Sequence, residues 1–124
     1  MVGTHIIVDS YLISDTKFYE IHHNFDNFDK IIKKLIQKHN MTLISNQFKI
    51  FDGQIGAFTL LYLLSESHIS FHSWPEKNYI AIDVFTCGDC NTRELVKDIL
   101  NYLECNDYRL NTIHRGMDTI KIYI

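Results

Sequence analysis

Ala57-Phe58-Thr59-Leu60-Leu61-Tyr62-Leu63-Leu64-Ser65-Glu66-Ser67-His68-Ile69-Ser70-Phe71-His72-Ser73-Trp74-Pro75-Glu76 is the stretch on which the fold turns. Its first eight residues form a nearly continuous apolar run, which reads as a strand central in a sheet. From Ser65 the character changes. Strand alternation places Glu66, His68, Ser70, His72 and Trp74 on one side and Ser67, Ile69, Phe71 and Ser73 on the other. The first side is costly to bury without partners, so either it faces water or it lines a site.

Working outward, Thr42–Phe51 reads as the preceding strand, with Asp52-Gly53 and Gly56 marking a turn. Pro75-Glu76-Lys77-Asn78 is a turn by composition, and Tyr79–Cys87 is the following strand. At the start of the chain, Val2–Leu12 is rich in β-branched residues and forms a first strand. His5 is its one polar group that could point inward, as a hydrogen-bonded structural histidine. Phe25, Phe28, Ile31, Ile32, Leu35 and Ile36 recur every three or four residues, with Asp29, Lys30, Lys33, Lys34 and Lys38 opposite, which predicts an amphipathic helix whose lysines face solvent. Asn91, followed three residues later by Glu94, caps a second helix carrying Leu95, Val96, Ile99, Leu100 and Leu103. Tyr108–His114 and Asp118–Ile124 read as two closing strands around Arg115-Gly116. Adjacent strands imply antiparallel pairing. The expected class is α+β: a two-layer sandwich over 1–124, with an antiparallel sheet and two helices on one face.

Composition narrows the function. The 124 residues are 46% hydrophobic and 22% charged, a globular balance with room for one core. A net charge of −3 without a lysine or arginine cluster disfavours a nucleic-acid partner. No apolar run is long enough to span a membrane and no signal peptide opens the chain, so a cytoplasmic location is expected. The odd count of three cysteines, Cys87, Cys90 and Cys105, argues against a disulfide framework.

Several chemistries can be weighed on residues alone. Ser67, His72 and Asp83 could supply a hydrolase triad, but no Gly-x-Ser-x-Gly elbow is present. Cys87-Gly88-Asp89-Cys90 has C-x-x-C spacing without the second ligand pair of a zinc site, and outside the βαβ context of a thioredoxin-like motif. His22-His23 lacks a carboxylate or thiol at ligand spacing, so no metal is expected.

Ser65–Glu76, Ala81-Ile82-Asp83-Val84-Phe85-Thr86-Cys87-Gly88, Gly3-Thr4-His5-Ile6-Ile7-Val8-Asp9 and Arg115-Gly116 together resemble the bacterial pyruvoyl-dependent S-adenosylmethionine decarboxylases across nearly the whole chain. The resemblance implies a proenzyme that cuts itself between Glu66 and Ser67 into 1–66 and 67–124. The Ser67 hydroxyl attacks the preceding carbonyl, the ester eliminates to dehydroalanine, and hydrolysis leaves a covalent pyruvoyl group at residue 67. That carbonyl condenses with the substrate amine as a Schiff base and draws in the electrons released with carbon dioxide. His72 is implied to move a proton in processing and Cys87 to reprotonate the substrate carbon, tasks suited to imidazole and thiol. Strand parity sets Ser67 and His72 on opposite faces, which points to a homodimer whose sites are shared between protomers.

The match departs from the family between Phe51 and Leu60. The usual Phe-x-Pro-x-Gly-Val-Ser-Gly segment is replaced by Phe51-Asp52-Gly53-Gln54-Ile55-Gly56-Ala57-Phe58-Thr59-Leu60. Ungapped counting places the family's processing serine on Thr59, which keeps a hydroxyl. The adenine-stacking aromatic falls on Phe51 if two residues are inserted, or on Phe58, and either could be core. Glu76 matches the carboxylate that holds the ribose hydroxyls, and by composition alone is an exposed turn residue. The resemblance implies S-adenosylmethionine as substrate, for spermidine synthesis. Arginine or ornithine on the same scaffold, and a non-processing regulatory subunit, are the alternatives.

Overall fold

The computed structural model describes residues 2–88 and 90–116. β1 (Gly3–Tyr11) leads into α1 (Asp15–His23) and α2 (Phe25–Lys38). β2 (Leu43–Ile50), β3 (Phe58–Leu64) and β4 (Ser67–Trp74) follow, then a 3₁₀ turn at Pro75–Lys77 and β5 (Tyr79–Cys87). α3 (Thr92–Tyr102) and β6 (Asp107–Arg115) complete the described chain. The expected strand Asp118–Ile124 lies outside the described residues.

The strands form one sheet in the order β2-β3-β4-β5-β1-β6, and every neighbouring pair is antiparallel. This is the expected two-layer α+β sandwich. The apolar alternate residues Ile6 and Val8, Phe58, Leu60, Tyr62 and Leu64, Ile69 and Phe71, and Ile80, Ile82 and Val84 all point at the helix layer and are buried. Against them α2 packs Phe25, Phe28, Ile32 and Ile36, and α3 packs Leu95, Val96, Ile99 and Leu100. Phe28 sits at the centre, its ring touching those of Phe25, Phe58, Phe71 and Tyr102.

Two expectations need amending. The described chain has three α-helices rather than two, because α1 precedes the predicted one. Its N-cap Ser14 accepts the Lys17 N–H at 3.0 Å, and Asn24 both ends α1 and caps α2. Among its buried residues is Lys17, whose ammonium lies 4.7 Å from the Tyr102 ring centre and 3.0 Å from Glu20. His5, in turn, does not face the core. It lies on the open face of the sheet, 3.3 Å from Asp83, which also accepts from Ser70 at 3.4 Å. Among the polar residues of β1, Ser10 shares the inward parity of Ile6 and Val8 and is fully buried.

Candidate active site

β4 carries the site because its two ends present different chemistry. The turn before it has only two residues, Ser65 and Glu66, between the paired Leu64 and Ser67. Closing so tight a hairpin forces a left-handed backbone, and Glu66 adopts φ of 58°. A residue with a Cβ holds that conformation at a cost on the order of 1 kcal/mol. The unfavourable backbone thus abuts the Glu66–Ser67 peptide bond.

Two groups of β5 converge on that bond. The Cys87 thiol donates to the Glu66 carbonyl at 2.8 Å, and the Cys87 N–H donates to the Ser67 hydroxyl at 3.3 Å. Cys87 reaches it because β5 runs antiparallel beside β4, with His68 opposite Phe85. Ser67 points to the helix layer and is 8% exposed, whereas Cys87 is half-buried.

His72 stands five residues further along β4, on the open face. It is paired across the ladder with Thr59, and the Thr59 hydroxyl lies 3.1 Å from His72 Nδ1. That bond fixes the ring and leaves Nε2 as its free nitrogen. Thr59, His72 and Glu76 line one cavity of about 490 Å³ together with Phe51, Gly53, Gln54, Ala57 and Trp74. Phe51 is 46% exposed and available for stacking. Phe58 also borders this cavity, but its ring is spent in the core against Phe25 and Phe28.

The structure therefore divides the sequence-selected residues into two groups. Glu66, Ser67 and Cys87 meet at one end of β4, and Thr59, His72, Glu76 and Phe51 meet at the other. At roughly 3.3 Å per residue the ends are about 17 Å apart. A hydrolase triad is not formed: Ser67 contacts Cys87, His72 contacts Thr59, and Asp83 contacts His5 and Ser70. Sequence reasoning passed over Trp74 as a cavity residue, although its parity with His72 on the polar side of β4 was the available signal. It also passed over Ser73, which alternation sets on the side of Ile69 and Phe71 and whose hydroxyl reaches the main chain of Gly56 and Phe58.

Among the described residues no group of three or more histidine, cysteine, aspartate or glutamate side chains is arranged to hold a metal, and no helix is long and apolar enough to cross a membrane. Cys87, Cys90 and Cys105 are all free thiols. Burial pushes the Cys105 thiol up, which keeps it protonated and inert.

Comparison with known proteins identifies the family and the fold. The family model described as S-adenosylmethionine decarboxylase matches residues 4–116. The S-adenosylmethionine decarboxylase proenzyme of Clostridium botulinum (strain Loch Maree / Type A3) is 32% identical over 115 residues, covering 92% of this chain and 94% of that protein. The S-adenosylmethionine decarboxylase proenzyme 2 of Bacillus cereus is 35% identical over 124 residues, covering 95% and 92%. The crystal structure of the adenosylmethionine decarboxylase from Aquifex aeolicus superposes with a TM-score of 0.78 at 24% identity, covering 99% of this chain and 98% of that one, and so shares the fold. With a sheet of matching architecture and a family match spanning nearly all its length, the chain belongs to the S-adenosylmethionine decarboxylase family.

Proposed function

We propose that this chain is a proenzyme that cuts itself at Glu66–Ser67 and then decarboxylates S-adenosylmethionine. The observation that carries the reading is the convergence of Cys87 on that one peptide bond, with its thiol on the carbonyl and its N–H on the serine hydroxyl. A thiol donor at the Glu66 oxygen polarises the carbon that Ser67 Oγ must attack. Attack forms the C–O bond and breaks the C–N bond, giving an ester and a free amine at residue 67. Loss of the Ser67 α-proton then expels Glu66 as a carboxylate and leaves dehydroalanine. Its enamine tautomerises, takes up water and releases ammonia, so the carbonyl is made from the chain's own serine.

The residues at this position suit such a group, since Ser67 begins a strand, pairs with Leu64 of β3 on one side, and is followed by His68, which pairs with Phe85 of β5 on the other. A pyruvoyl carbonyl at residue 67 supplies an acceptor for the electron pair released when carbon dioxide leaves. Cys87 is placed beside that position to hold the proton that the substrate carbon needs. At the far end of β4, Phe51 and Trp74 offer aromatic faces to a base and a sulfonium, and Glu76 offers two acceptor oxygens to ribose hydroxyls. Free arginine or ornithine brings a cation for one aromatic face but no base for the other and no ribose hydroxyls for Glu76.

The two ends belong to one site only if two copies meet. Leu61, Leu63, Trp74 and Ile113 are exposed on the open face of the sheet, a patch that a second copy would cover. Face-to-face pairing about a two-fold axis crossing β4 near Ser70 brings the Ser67 end of one copy over the His72 end of its partner, twice. His72, oriented by Thr59, then moves the processing proton for the neighbouring chain. Three free thiols fit a cytoplasmic protein.

The sheet also explains why a cut chain would stay together. β1, β2 and β3 precede the cut and β4, β5 and β6 follow it, yet β1 lies between β5 and β6. The fragments 1–66 and 67–124 are interleaved.

Denaturing mass spectrometry after prolonged incubation tests processing, with two fragments and a carbonyl-capped second chain expected. An intact chain with unchanged Ser67 would refute the enzyme and leave a regulatory subunit. Carbon dioxide release from S-adenosylmethionine, arginine and ornithine in parallel tests the substrate. Preference for either free amino acid would overturn it.

A further inference from the structure

The segment between β2 and β3 forms one wall of the cavity through Phe51, Gly53, Gln54 and Ala57, and its conformation is fixed largely at a single residue. Gly56 has φ of +88°, in the region that favours glycine, and a Cβ there would lie 2.7 Å from the Cβ of Phe18 in α1. The segment is thus pressed onto α1 with no room to spare. Both polar main-chain atoms of Gly56 are also captured. Its N–H donates to His22 Nδ1 at 2.9 Å, and its carbonyl accepts from the Ser73 hydroxyl at 2.6 Å. Ser73 in turn accepts from the Phe58 N–H at 2.8 Å. Inside the segment, Phe51 N–H donates to the Ala57 carbonyl at 2.9 Å, closing the loop.

We propose that His22 is a positioning residue that sets substrate affinity by holding this wall in its binding shape, an inference that rests on the cavity being the substrate site. His22 does not line the cavity, so its effect must pass through Gly56. The Gly56 N–H fixes His22 Nδ1 as the acceptor nitrogen of the ring. This separates it from His23, which is exposed and packs on Tyr19. The wall is bonded to α1 on one side and β4 on the other, and releasing the α1 side leaves Phe51 and Gln54 free to move away from Trp74 and Glu76. Binding would then include the cost of re-ordering the loop.

The test compares His22→Ala and His22→Leu, which remove the acceptor, with His22→Asn, whose side-chain oxygen can accept in place of Nδ1. All are prepared as the self-processed protein. Both acceptor-free variants are expected to raise KM for S-adenosylmethionine about tenfold, the scale of one lost hydrogen bond, with kcat within about twofold and processing complete. His22→Asn is expected to return KM to within about threefold of the parent. Trp74, the single tryptophan, lines the same cavity and reports on the wall without any ligand: acrylamide should quench it more strongly in the acceptor-free variants than in the parent or His22→Asn. The quenching arm stands even if the substrate proves to be another amino acid. Unchanged quenching in His22→Leu would overturn the inference, as would an equal fall in kcat and kcat/KM or a lowered melting temperature with an unaltered KM.

Discussion

If each site draws its Ser67 end from one protomer and its His72 end from the other, a chain lacking His72 can be cut only by a partner that retains it. The perturbation is a mixture of two chains, each carrying one change: His72→Ala keeps a cleavable Ser67, and Ser67→Ala keeps the Thr59–His72 pair but has nothing to cut. Within one chain the two positions are about 17 Å apart along β4, several times the reach of a hydrogen bond, so neither chain can repair itself. At equal expression with random pairing, about half of the His72→Ala chains meet a Ser67→Ala partner. About half of the His72→Ala protein should therefore appear as fragments 1–66 and 67–124, and none of the Ser67→Ala protein. Distinct affinity tags and a denaturing gel give both fractions, with each variant expressed alone as the uncut control. An uncut His72→Ala chain in dimers shown by tag capture to be mixed would refute shared sites. Normal cutting of His72→Ala alone would remove His72 from processing altogether.

Three further outcomes follow from the geometry. Thr59→Ala removes the hydroxyl 3.1 Å from His72 Nδ1 and is expected to slow self-cleavage by at least about tenfold, while Thr59→Ser retains most of the rate; a time course on denaturing gels decides. Phe28→Ala empties the centre of the aromatic cluster and should cost about 3–5 kcal/mol, read as a lower denaturant midpoint at unchanged slope. Asp98 ties α3 to α2 through Lys38 and His39, each at 2.8 Å, and hydrogen bonds from both hold its carboxyl below the usual carboxylate range. A depressed carboxyl stabilises the fold above its unfolded value near pH 4 and loses that contribution as pH falls through its folded value, so Asp98→Asn should lie below the parent at pH 7 by up to about 1 kcal/mol and converge with it in acid.

What could be read ahead of the structure followed the strength of each local signal. β5 matches its predicted span because nine residues alternate without interruption, and Asn91 caps α3 as expected, accepting the Glu94 N–H at 3.3 Å. The parity of β4 alone separates Ser67 from His72, since period two leaves no freedom over a straight strand. α1 was not legible because its buried residues are Lys17, Phe18 and Ile21, so a charged residue stands where an apolar stripe would have been sought. His5 was misplaced for a related reason: alternation divides β1 into two faces without saying which is covered, and its partner Asp83 is 78 residues away. A turn at Asp52-Gly53 and Gly56 was legible, but its role as a cavity wall was not, as its anchors are main-chain atoms of Gly56 gripped by side chains from α1 and β4.

The two parts of the sequence that resisted reading, α1 and the β2–β3 loop, touch each other, and their contact has a consequence for how the site is built. The chemistry at Glu66–Ser67 depends on a strand register, which survives extensive change elsewhere because shifting it by one residue would invert both faces of β4. The cavity at Phe51–Glu76 depends instead on α1 and a glycine-bearing loop, whose contacts can be altered without disturbing the sheet. On the proposed function, self-cleavage and substrate choice thus occupy parts of the fold with different tolerance. Changes confined to α1 and the β2–β3 loop should shift which amine is accepted while leaving the cut intact, and changes in the register of β4 against β5 should abolish both, because in the proposed mechanism the group made at residue 67 serves every substrate.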